Sequence, residues 1–380
     1  MTDRIREFLR THRNASFDKG PCLVVDLEEV RENFRAFESA LPDSRIFYAV
    51  KANPAPEILS ALAALGSCFD CASIPEIEAA LAAGATPERI SFGNTIKKER
   101  DVAAAFELGV RLFAVDCLRE VEKIARAAPG ARVFCRILCD GAGADWPLSR
   151  KFGCTPEHAP DVLEAAHRAG LVAAGISFHV GSQQRNTEAW DAAIASASAI
   201  FQIMAMRGIR LTLVNLGGGF PARYRGDEPA ANLYGVAIRE SILRHFGNRV
   251  PETIIEPGRG MVGSAGILKT EVVLISKKDP SEDTRWVFLD IGKFGGLAET
   301  MDEAIRYPIR SERDGGEAGP CVIAGPTCDS ADVLYEKTPY LLPLSLEIGD
   351  MLLFEGTGAY TTTYSSIGFN GFAPLQAIII

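Results

Sequence analysis

The feature of this sequence that most restricts its fold is a regular alternation of short apolar runs with Ala- and Leu-rich helical stretches. Between Ile46 and Pro257 the β-branched or aromatic runs are, in order, IFYAV, SCFDCA, RISF, LFAV, RVFCRI, AAGISFH, LTLVNL and TIIEP. Helical patterns such as APEILSALAALG lie between them, and several end in the glycine expected just past a helix C-terminus. Eight strand–helix units in about 220 residues predict a closed parallel (β/α)8 barrel.

The pattern predicts three regions along the chain. Residues 41–263 would form the TIM-like barrel. Beyond about Gly263, strand-like runs such as RWVFLDIG and DMLLFEG alternate with turns, so residues 264–380 are expected to form a mostly β C-terminal domain. Residues 1–40 contain one apolar run, CLVVDL, and we expect this segment to pack with the β domain because chain termini are often close together.

Composition and charge exclude several classes of protein. The formal charge of -9, from 40 Lys+Arg and 49 Asp+Glu, argues against a nucleic-acid partner. The nine cysteines favour reduced intracellular thiols, and Cys68 and Cys71 are interpreted as packing residues rather than as part of a metal site. The charged N-terminus resembles no secretory signal, and no run of about 18 apolar residues occurs. We therefore expect a cytoplasmic protein with no membrane partner and no metal.

Polar residues follow many of the strand patterns, at the end where barrel enzymes place their active sites. Lys51 follows the first strand, and a partly desolvated lysine can react with aldehydes, although a lone lysine is more often a solvated end cap. Gly217, Gly218 and Gly219 would let backbone N–H groups approach an anion. Glu256 adds a carboxylate. An amine, an anion cradle and a carboxylate are the three groups that pyridoxal 5'-phosphate (PLP) requires.

Seven motifs, in order along nearly the whole chain, resemble those of the fold type III PLP-dependent decarboxylases, the alanine racemase/ornithine decarboxylase-like proteins. They are FYAVKANP, FDCAS, HVGSQ, LGGGFP, EPGRG, GPTCDSADVL and GAYTTTYSSIGFNGF. The resemblance is strongest to the ornithine decarboxylase type, including lysine/ornithine decarboxylases. It implies a carboxy-lyase that converts L-ornithine to putrescine and CO2 in polyamine biosynthesis, with L-lysine, which would give cadaverine, as a second candidate substrate.

The resemblance implies a role for each matching residue. Lys51 would hold PLP and His179 would stack on its ring. Glu256 would keep the pyridine nitrogen protonated, which makes the ring an electron sink, whereas alanine racemases have an arginine at this position. Asp70 and Arg136 would form a salt bridge near the cofactor, although a purely structural ion pair is an equally good interpretation. The cofactor phosphate would be bound by Ser182, Gly218, Gly219, Gly258, Arg259 and Tyr360.

The resemblance also implies a homodimer with active sites shared across the interface. Cys328 would protonate the product carbanion, so that the expected catalytic residues are Lys51, His179 and Cys328. Asp329 would bind the distal ammonium of the substrate, with both Cys328 and Asp329 reaching into the partner's site. Lys151 matches an interface position. The related diaminopimelate decarboxylases have Glu where Asp329 stands, which favours a simple diamino acid here.

Two departures from the family pattern leave the length of the substrate open. Phe294 stands where the animal ornithine enzymes have Tyr, and Asp302 with Glu303 aligns with a Tyr-Asp pair. We expect Asp302 and Glu303 to contact the substrate, and the longer Glu303 to change the space for ornithine or lysine. Glu76 matches a rim carboxylate without a specified role. The alternatives are a diaminopimelate decarboxylase and a non-catalytic regulatory homologue, which should have lost cofactor contacts.

Overall fold

A computed structural model describes residues 1–12, 20–146, 151–224 and 226–380 of the 380-residue chain. It forms two compact units, which we call the barrel unit (Arg31–Pro221 and Glu228–Met261) and the β unit (Met1–Val30, Ala222–Asp227 and Val262–Ile380). These divisions differ from the predicted bounds of 1–40, 41–263 and 264–380, which stay predictions. Residues 31–40 belong to the barrel unit, where Asn33 Nδ2 donates to the Met261 carbonyl at 3.0 Å.

The strands and helices account for most of the described chain. In chain order the strands are β1 (Cys22–Val25), β2 (Ser44–Ala49), β3 (Cys68–Cys71), β4 (Ile90–Phe92), β5 (Leu112–Val115), β6 (Arg132–Arg136), β7 (Ala144–Trp146), β8 (Val172–Ser177), β9 (Ser182–Gln184), β10 (Leu213–Asn215), β11 (Glu252–Ile255), β12 (Gly266–Ser276), β13 (Arg285–Leu289), β14 (Ile309–Ser311), β15 (Ala318–Ala324), β16 (Val333–Pro343), β17 (Met351–Glu355) and β18 (Gln376–Ile379). The α-helices are α1 (Asp3–Thr11), α2 (Leu27–Ala40), α3 (Pro56–Ala64), α4 (Ile74–Ala82), α5 (Glu99–Glu107), α6 (Leu118–Ala127), α7 (Ala159–Arg168), α8 (Asp191–Met206), α9 (Ala231–Phe246) and α10 (Arg259–Val262).

The barrel unit contains a closed parallel barrel with the strand order β10-β11-β2-β3-β4-β5-β6-β8. Each of the eight strands overlaps one of the eight apolar runs, so the predicted barrel is confirmed. One side chain from each of seven strands contributes to a buried apolar cluster, as expected for a barrel whose interior is filled by side chains. This cluster consists of Phe47, Cys68, Ala114, Phe134, Ala174, Leu213 and Ile254. Parallel strands in one barrel end at the same rim, which collects the residues that follow them.

In the part of the chain that the structure describes, one helical stretch, Thr187–Met206, is long and apolar enough to cross a membrane by length and composition alone. It joins a 3-10 turn to α8, which packs against β8 and lies between α7 and α9 in the barrel unit. Its buried residues include Ile194, Ala197 and Met204. Packing on the barrel therefore explains part of the apolar composition of this stretch.

The β unit is built on a mixed sheet with the strand order β14-β17-β12-β13-β15-β16. The strand β1 pairs antiparallel with β12 and parallel with β18, so the N-terminal strand is part of this sheet. Ile5, Cys22, Val24 and Ile267 form a buried cluster within the unit. The predicted combination of a TIM-like barrel with a mostly β domain is therefore confirmed.

Candidate active site

Lys51 lies directly after β2, in a short 3-10 turn over Val50–Ala52. The strand before it ends with a hydrogen bond from the Ala49 N–H to the Pro257 carbonyl at 3.2 Å, which ties this turn to the turn that follows β11. Lys51 is exposed to solvent. Its positive charge acts on Asp70, His179 and Glu256, so the structure places these side chains around one amine.

Glu256 follows β11 and is largely buried. Burial raises the pKa of its carboxyl group to about 7, and the negative charge of Asp70 adds to this effect. A hydrogen bond from Asn215 Nδ2 to Glu256 Oε1 and the charges of Lys51 and Arg136 oppose the rise in pKa. A cation placed against this carboxylate would favour its ionised form. The carboxylate is thus suited to hold a protonated ring nitrogen.

Asp70 is the next-to-last residue of β3, and only 6% of its surface is exposed. Burial raises the pKa of its carboxyl group, while Lys51, a hydrogen bond from Ser91 and the charge of Arg136 lower it. Ser91 Oγ donates to Asp70 Oδ1 at 3.2 Å. Gly93 is needed beside it, because a Cβ at that position would lie 1.8 Å from Asp70 Oδ1. The end of β4 therefore lacks a side chain where the carboxylate of β3 is buried.

The predicted salt bridge between Asp70 and Arg136 is not found as a direct contact within the described residues. The two groups interact at longer range, and the Arg136 guanidinium carbon lies 5.3 Å from the centroid of the Phe152 ring. Asp70 instead accepts its hydrogen bond from Ser91. Arg136 thus contributes positive charge to the rim, with no close carboxylate partner among the residues that the structure describes.

His179 follows β8 and has a defined proton arrangement. The Gly181 N–H donates to His179 Nδ1 at 3.0 Å, so Nδ1 is an acceptor and the proton of the neutral imidazole lies on Nε2. Burial lowers the pKa of this imidazole well below its usual range, and the charges of Arg136 and Lys51 lower it further. A neutral ring at this position can stack on a cofactor without adding a second cation.

The three glycines after β10 are required by close approaches of the chain. A Cβ on Gly217, which has φ of +67°, would lie 2.0 Å from the Phe178 carbonyl oxygen. On Gly218 it would lie 2.6 Å from the Glu256 carbonyl oxygen, and on Gly219, at φ +108°, it would lie 2.5 Å from the Gly181 carbonyl oxygen. Backbone packed this closely leaves no room for side chains beside the loop, which is the condition for a backbone anion cradle.

Arg259 and Ser182 lie next to each other at the same rim. Only 3% of Arg259 is exposed. Its Nε and Nη2 donate to Ser182 Oγ at 3.3 and 3.2 Å. The hydroxyl of Ser182 accepts both bonds, so its own proton is directed to another acceptor. Gly258 precedes α10. The amine, carboxylate, neutral imidazole and glycine cradle of the barrel unit together fit PLP.

Cys328 and Asp329 lie in the β unit and are exposed. The Cys328 N–H donates to Asn370 Oδ1 at 2.8 Å, and Asp329 Oδ1 accepts from the Ala331 N–H at 2.8 Å. These backbone contacts fix the loop that carries both side chains. The thiol and carboxylate are accessible on the surface of this chain.

Tyr360 also belongs to the β unit, and its backbone is unusual. It has φ of +57°, a region that residues other than glycine adopt at a cost, and such residues cluster at functional sites. Its ring centroid lies 5.6 Å from that of Tyr364. The assignment of Tyr360 to the phosphate site stays a prediction.

The structure gives Asp302 and Glu303 surroundings that the sequence did not indicate. Asp302 Oδ1 pairs with Lys337 Nζ at 3.1 Å, with both side chains mostly exposed. Glu303 accepts backbone N–H groups from Glu336, Lys337 and Thr338 in the middle of β16. Glu303 thus anchors a strand, which supports a structural role, and substrate contact by either residue stays a prediction.

The other residues singled out by the sequence have the following local contacts, and the interface position of Lys151 stays a prediction. Glu76 Oε2 accepts the Ala72 N–H at 2.7 Å, and burial raises the pKa of its carboxyl group. Lys151 is exposed, with Nζ 4.9 Å from the Phe152 ring centroid. Phe294 packs at 5.1 Å against Phe369, beside a groove of about 400 Å³ in the β unit. Cys68 and Cys71 are both buried, as expected of packing residues.

Sequence reasoning missed several buried polar residues of the barrel unit, among them Asn215 and Lys97. Asn215 was hidden inside the apolar run LTLVNL, although a polar residue at the end of a buried strand is a usable signal. Lys97 is also buried, and its Nζ donates to the Asn94 and Ala114 carbonyls at 2.7 Å each. Burial lowers the pKa of Lys97 to about 8, and the ion pair with Glu120 at 3.0 Å opposes this shift. Lys97 is saturated with structural contacts.

Residues 27–263 match the family model described as "Pyridoxal-dependent decarboxylase, pyridoxal binding domain". The chain belongs to this family. A lysine/ornithine decarboxylase from Selenomonas ruminantium is 39% identical over 361 residues, which are 94% of this chain and 89% of that protein. Antizyme inhibitor 2 from Xenopus laevis is 33% identical over 368 residues, 93% of this chain and 80% of that protein.

Solved structures of pyridoxal-dependent decarboxylases have the same fold over the whole chain. SrLDC in complex with PLP and cadaverine has a TM-score of 0.87 at 36% identity, covering 100% of this chain and 94% of that one. A lysine/ornithine decarboxylase from Vibrio vulnificus complexed with putrescine has a TM-score of 0.87 at 29% identity, with 100% and 99% covered. The arginine decarboxylase of Paramecium bursaria Chlorella virus has a TM-score of 0.89 at 29% identity, with both chains fully covered.

The family and the site together identify the class of reaction. This chain is a PLP-dependent amino-acid decarboxylase. When bound, PLP supplies an electron sink for the charge left on the substrate Cα as CO2 departs.

Proposed function

We propose that this decarboxylase converts L-ornithine to putrescine and CO2, and that it accepts L-lysine as a second substrate to give cadaverine. The observation that carries the proposal is Asp329, an exposed carboxylate held by a backbone turn directly after Cys328. A carboxylate is the group that pairs with a distal ammonium. The similarity to lysine/ornithine decarboxylases supports both substrates.

In this proposal each group of the barrel unit has one task. Lys51 supplies the amine that holds the cofactor aldehyde, and Glu256 holds a proton at the ring nitrogen. The neutral His179 stacks against the ring. The glycine loop with Ser182 and Arg259 binds the phosphate through N–H and O–H donors. Much of the barrier reduction then comes from orientation and from the charge that Glu256 provides.

The β unit supplies the remaining groups, which act on the substrate. Cys328 donates the proton that Cα takes up after CO2 leaves, and Asp329 binds the distal ammonium. We propose that both act in the active site of a second copy of this chain, in a homodimer with shared sites. Exposed apolar side chains of the same unit, including Ile367 at 86% and Phe372 at 45% exposure, support such an interface. The enzyme would work in the cytoplasm, in polyamine biosynthesis.

A non-catalytic regulator is the second candidate function, because antizyme inhibitor 2 is similar over nearly the whole chain. The predicted PLP contacts of the barrel unit, including Lys51, His179 and Glu256, are all present, which supports the enzyme instead. A diaminopimelate decarboxylase is less well supported, since Asp329 stands where those enzymes have Glu. The similarity to an arginine decarboxylase makes arginine a substrate to test.

The test is a measurement of CO2 release from ornithine, lysine, arginine and diaminopimelate by the PLP-loaded protein. We expect the highest kcat/KM with ornithine, a lower one with lysine, and background release with the other two. The Lys51→Ala protein defines that background. A preference for arginine or diaminopimelate would overturn the substrate proposal, and background release with all four by a folded, PLP-loaded protein would support the regulator.

A further inference from the structure

Asn215 has a buried polar side chain that none of the roles above uses. It ends β10, which lies between β8 and β11 in the barrel, and it is fully buried at 0% exposure. Burying an amide without hydrogen bonds destabilises the fold for each group left unsatisfied. The partners of this side chain therefore indicate why an amide is placed there.

Asn215 takes part in a closed ring of three hydrogen bonds. Its Oδ1 accepts the Gly217 N–H at 2.9 Å, and its Nδ2 donates to Glu256 Oε1. The Glu256 N–H in turn donates to the Gly217 carbonyl at 2.8 Å. One side chain thus joins the glycine loop after β10 to the carboxylate after β11.

The two ends of the Asn215 amide are not interchangeable. The Gly217 N–H needs an acceptor, so the amide oxygen must face it and the NH2 group must face Glu256. A donor facing Glu256 favours the ionised carboxylate, against the burial that raises its pKa. The other charged groups that act on Glu256 are Asp70, Lys51 and Arg136.

We propose that Asn215 is a positioning residue that couples the phosphate cradle to the carboxylate at the ring nitrogen. The two groups would bind different parts of PLP, the phosphate and the ring nitrogen, so a side chain that is bonded to both fixes their separation. Gly217 cannot relax independently, because its positive φ and its close approach to Phe178 fix the turn. The inference rests on the PLP contacts proposed above and is independent of the amino-acid substrate.

The test measures the Kd of the apoprotein for PLP by fluorescence titration across a range of pH. The Asn215→Leu variant keeps the volume and loses both side-chain hydrogen bonds, so we expect its Kd to rise at least about tenfold. The Asn215→Asp variant keeps an acceptor for Gly217 and places a second carboxyl group against Glu256. Such a pair shares one proton, which restores the donor at low pH. We expect near wild-type affinity at about pH 6 and weaker binding as the pH rises.

The matched control is Thr253→Val, which removes a buried hydrogen bond from β11, the strand that neighbours β10, three residues before Glu256. Thr253 Oγ1 lies 2.7 Å from Ser44 Oγ at the other end of the barrel strands. This variant should lose stability and keep its PLP affinity within about twofold, since Thr253 does not contact the rim. Equal Kd values for Asn215→Leu and Thr253→Val would overturn the proposal. If Asn215→Leu does not fold, wild-type pH dependence in Asn215→Asp would overturn it.

Discussion

The predicted site residues of the barrel unit and those of the β unit differ in how completely their surroundings are built. In the barrel unit, Asp70, His179 and Glu256 are buried enough to shift their pKa values, and each has a defined hydrogen-bond partner. In the β unit, Cys328 and Asp329 are exposed, and backbone contacts hold only their loop. The three barrel residues are thus surrounded by groups of their own chain, whereas the side chains of Cys328 and Asp329 are open to solvent.

This difference indicates which tasks each unit can perform. Buried groups with shifted pKa values stabilise charge in a bound cofactor, because few waters compete with them. The electrostatic interactions of an exposed thiol and carboxylate become strong only when another surface covers these groups and excludes water. The comparison therefore predicts that changes in the barrel unit affect the cofactor and its electronics, whereas changes at Cys328 and Asp329 affect substrate and turnover with PLP binding intact.

The largest effect is expected for Lys51→Ala. Removal of the amine that holds the cofactor should lower kcat/KM at least about 1000-fold, as for other covalent catalytic groups. PLP content after gel filtration should fall as well. Lys98→Ala, which removes an exposed lysine of the same unit, should change neither quantity. Retention of more than a tenth of the activity in Lys51→Ala would contradict the role.

The next effect concerns Glu256 and the stability of the apoprotein. Burial raises the pKa of Glu256 to about 7, so the folded protein favours the protonated carboxyl group. The free energy of unfolding therefore falls as the pH rises from about 4.5 to 7 and the carboxyl group ionises. Glu256→Gln removes the ionisation and can still accept from Asn215. Urea unfolding should show the variant to be roughly 3 kcal/mol more stable than wild type above pH 7, with no difference near pH 4.5. A difference independent of pH would contradict the buried state of this carboxylate.

A smaller effect is expected for Cys328→Ala. Loss of the proton donor should slow product formation about 100-fold while the PLP content stays that of wild type. Single-turnover measurement of CO2 and putrescine would locate the slow step after CO2 release. Cys117→Ala removes another exposed thiol and should have no effect. Unchanged turnover in Cys328→Ala would exclude the role of proton donor.

The smallest of these effects is expected for Asp329→Ala. Loss of one charge-assisted contact should raise KM for ornithine and lysine about tenfold, with a lesser change in kcat. Amino acids without a distal amine, tested as competitive inhibitors, should bind as they do to wild type. The exposed Asp283 supplies the control Asp283→Ala. Equal weakening of ligands with and without the amine would argue against the contact.

The fold could be predicted from the sequence mainly where local patterns agree with long-range packing. The barrel strands are short, apolar and separated by helices that end in glycine, so each element was recognisable by itself. The runs that became β12, β13, β15 and β17 were recognised as well. The strand β16 was not, because VLYEKTPYLLP mixes charges and prolines with apolar residues and alternates poorly. Its extended form depends on pairing with β15.

The site residues, like the strands, could be predicted only where a local pattern in the sequence marked them. Residues directly after strands, such as Lys51 and Glu256, could be placed on one rim because parallel strands end together. The partners of those residues could not be found in this way, because a contact such as Asn215 with Glu256 depends on the register of β10 and β11. The predicted direct contact between Asp70 and Arg136 was wrong in its geometry. Asp70 accepts a hydrogen bond from Ser91, and the Arg136 guanidinium lies over the Phe152 ring.

The central claim is that the barrel unit binds PLP covalently through the amine of Lys51. It is tested most directly by borohydride reduction of the PLP-loaded protein, digestion and mass spectrometry of the peptides. We predict that the pyridoxyl group lies on the peptide that contains Lys51. Lys97 is the informative competitor, because burial lowers its pKa to about 8. A pyridoxyl group on Lys97 or on any other lysine, with Lys51 unmodified, would contradict the account.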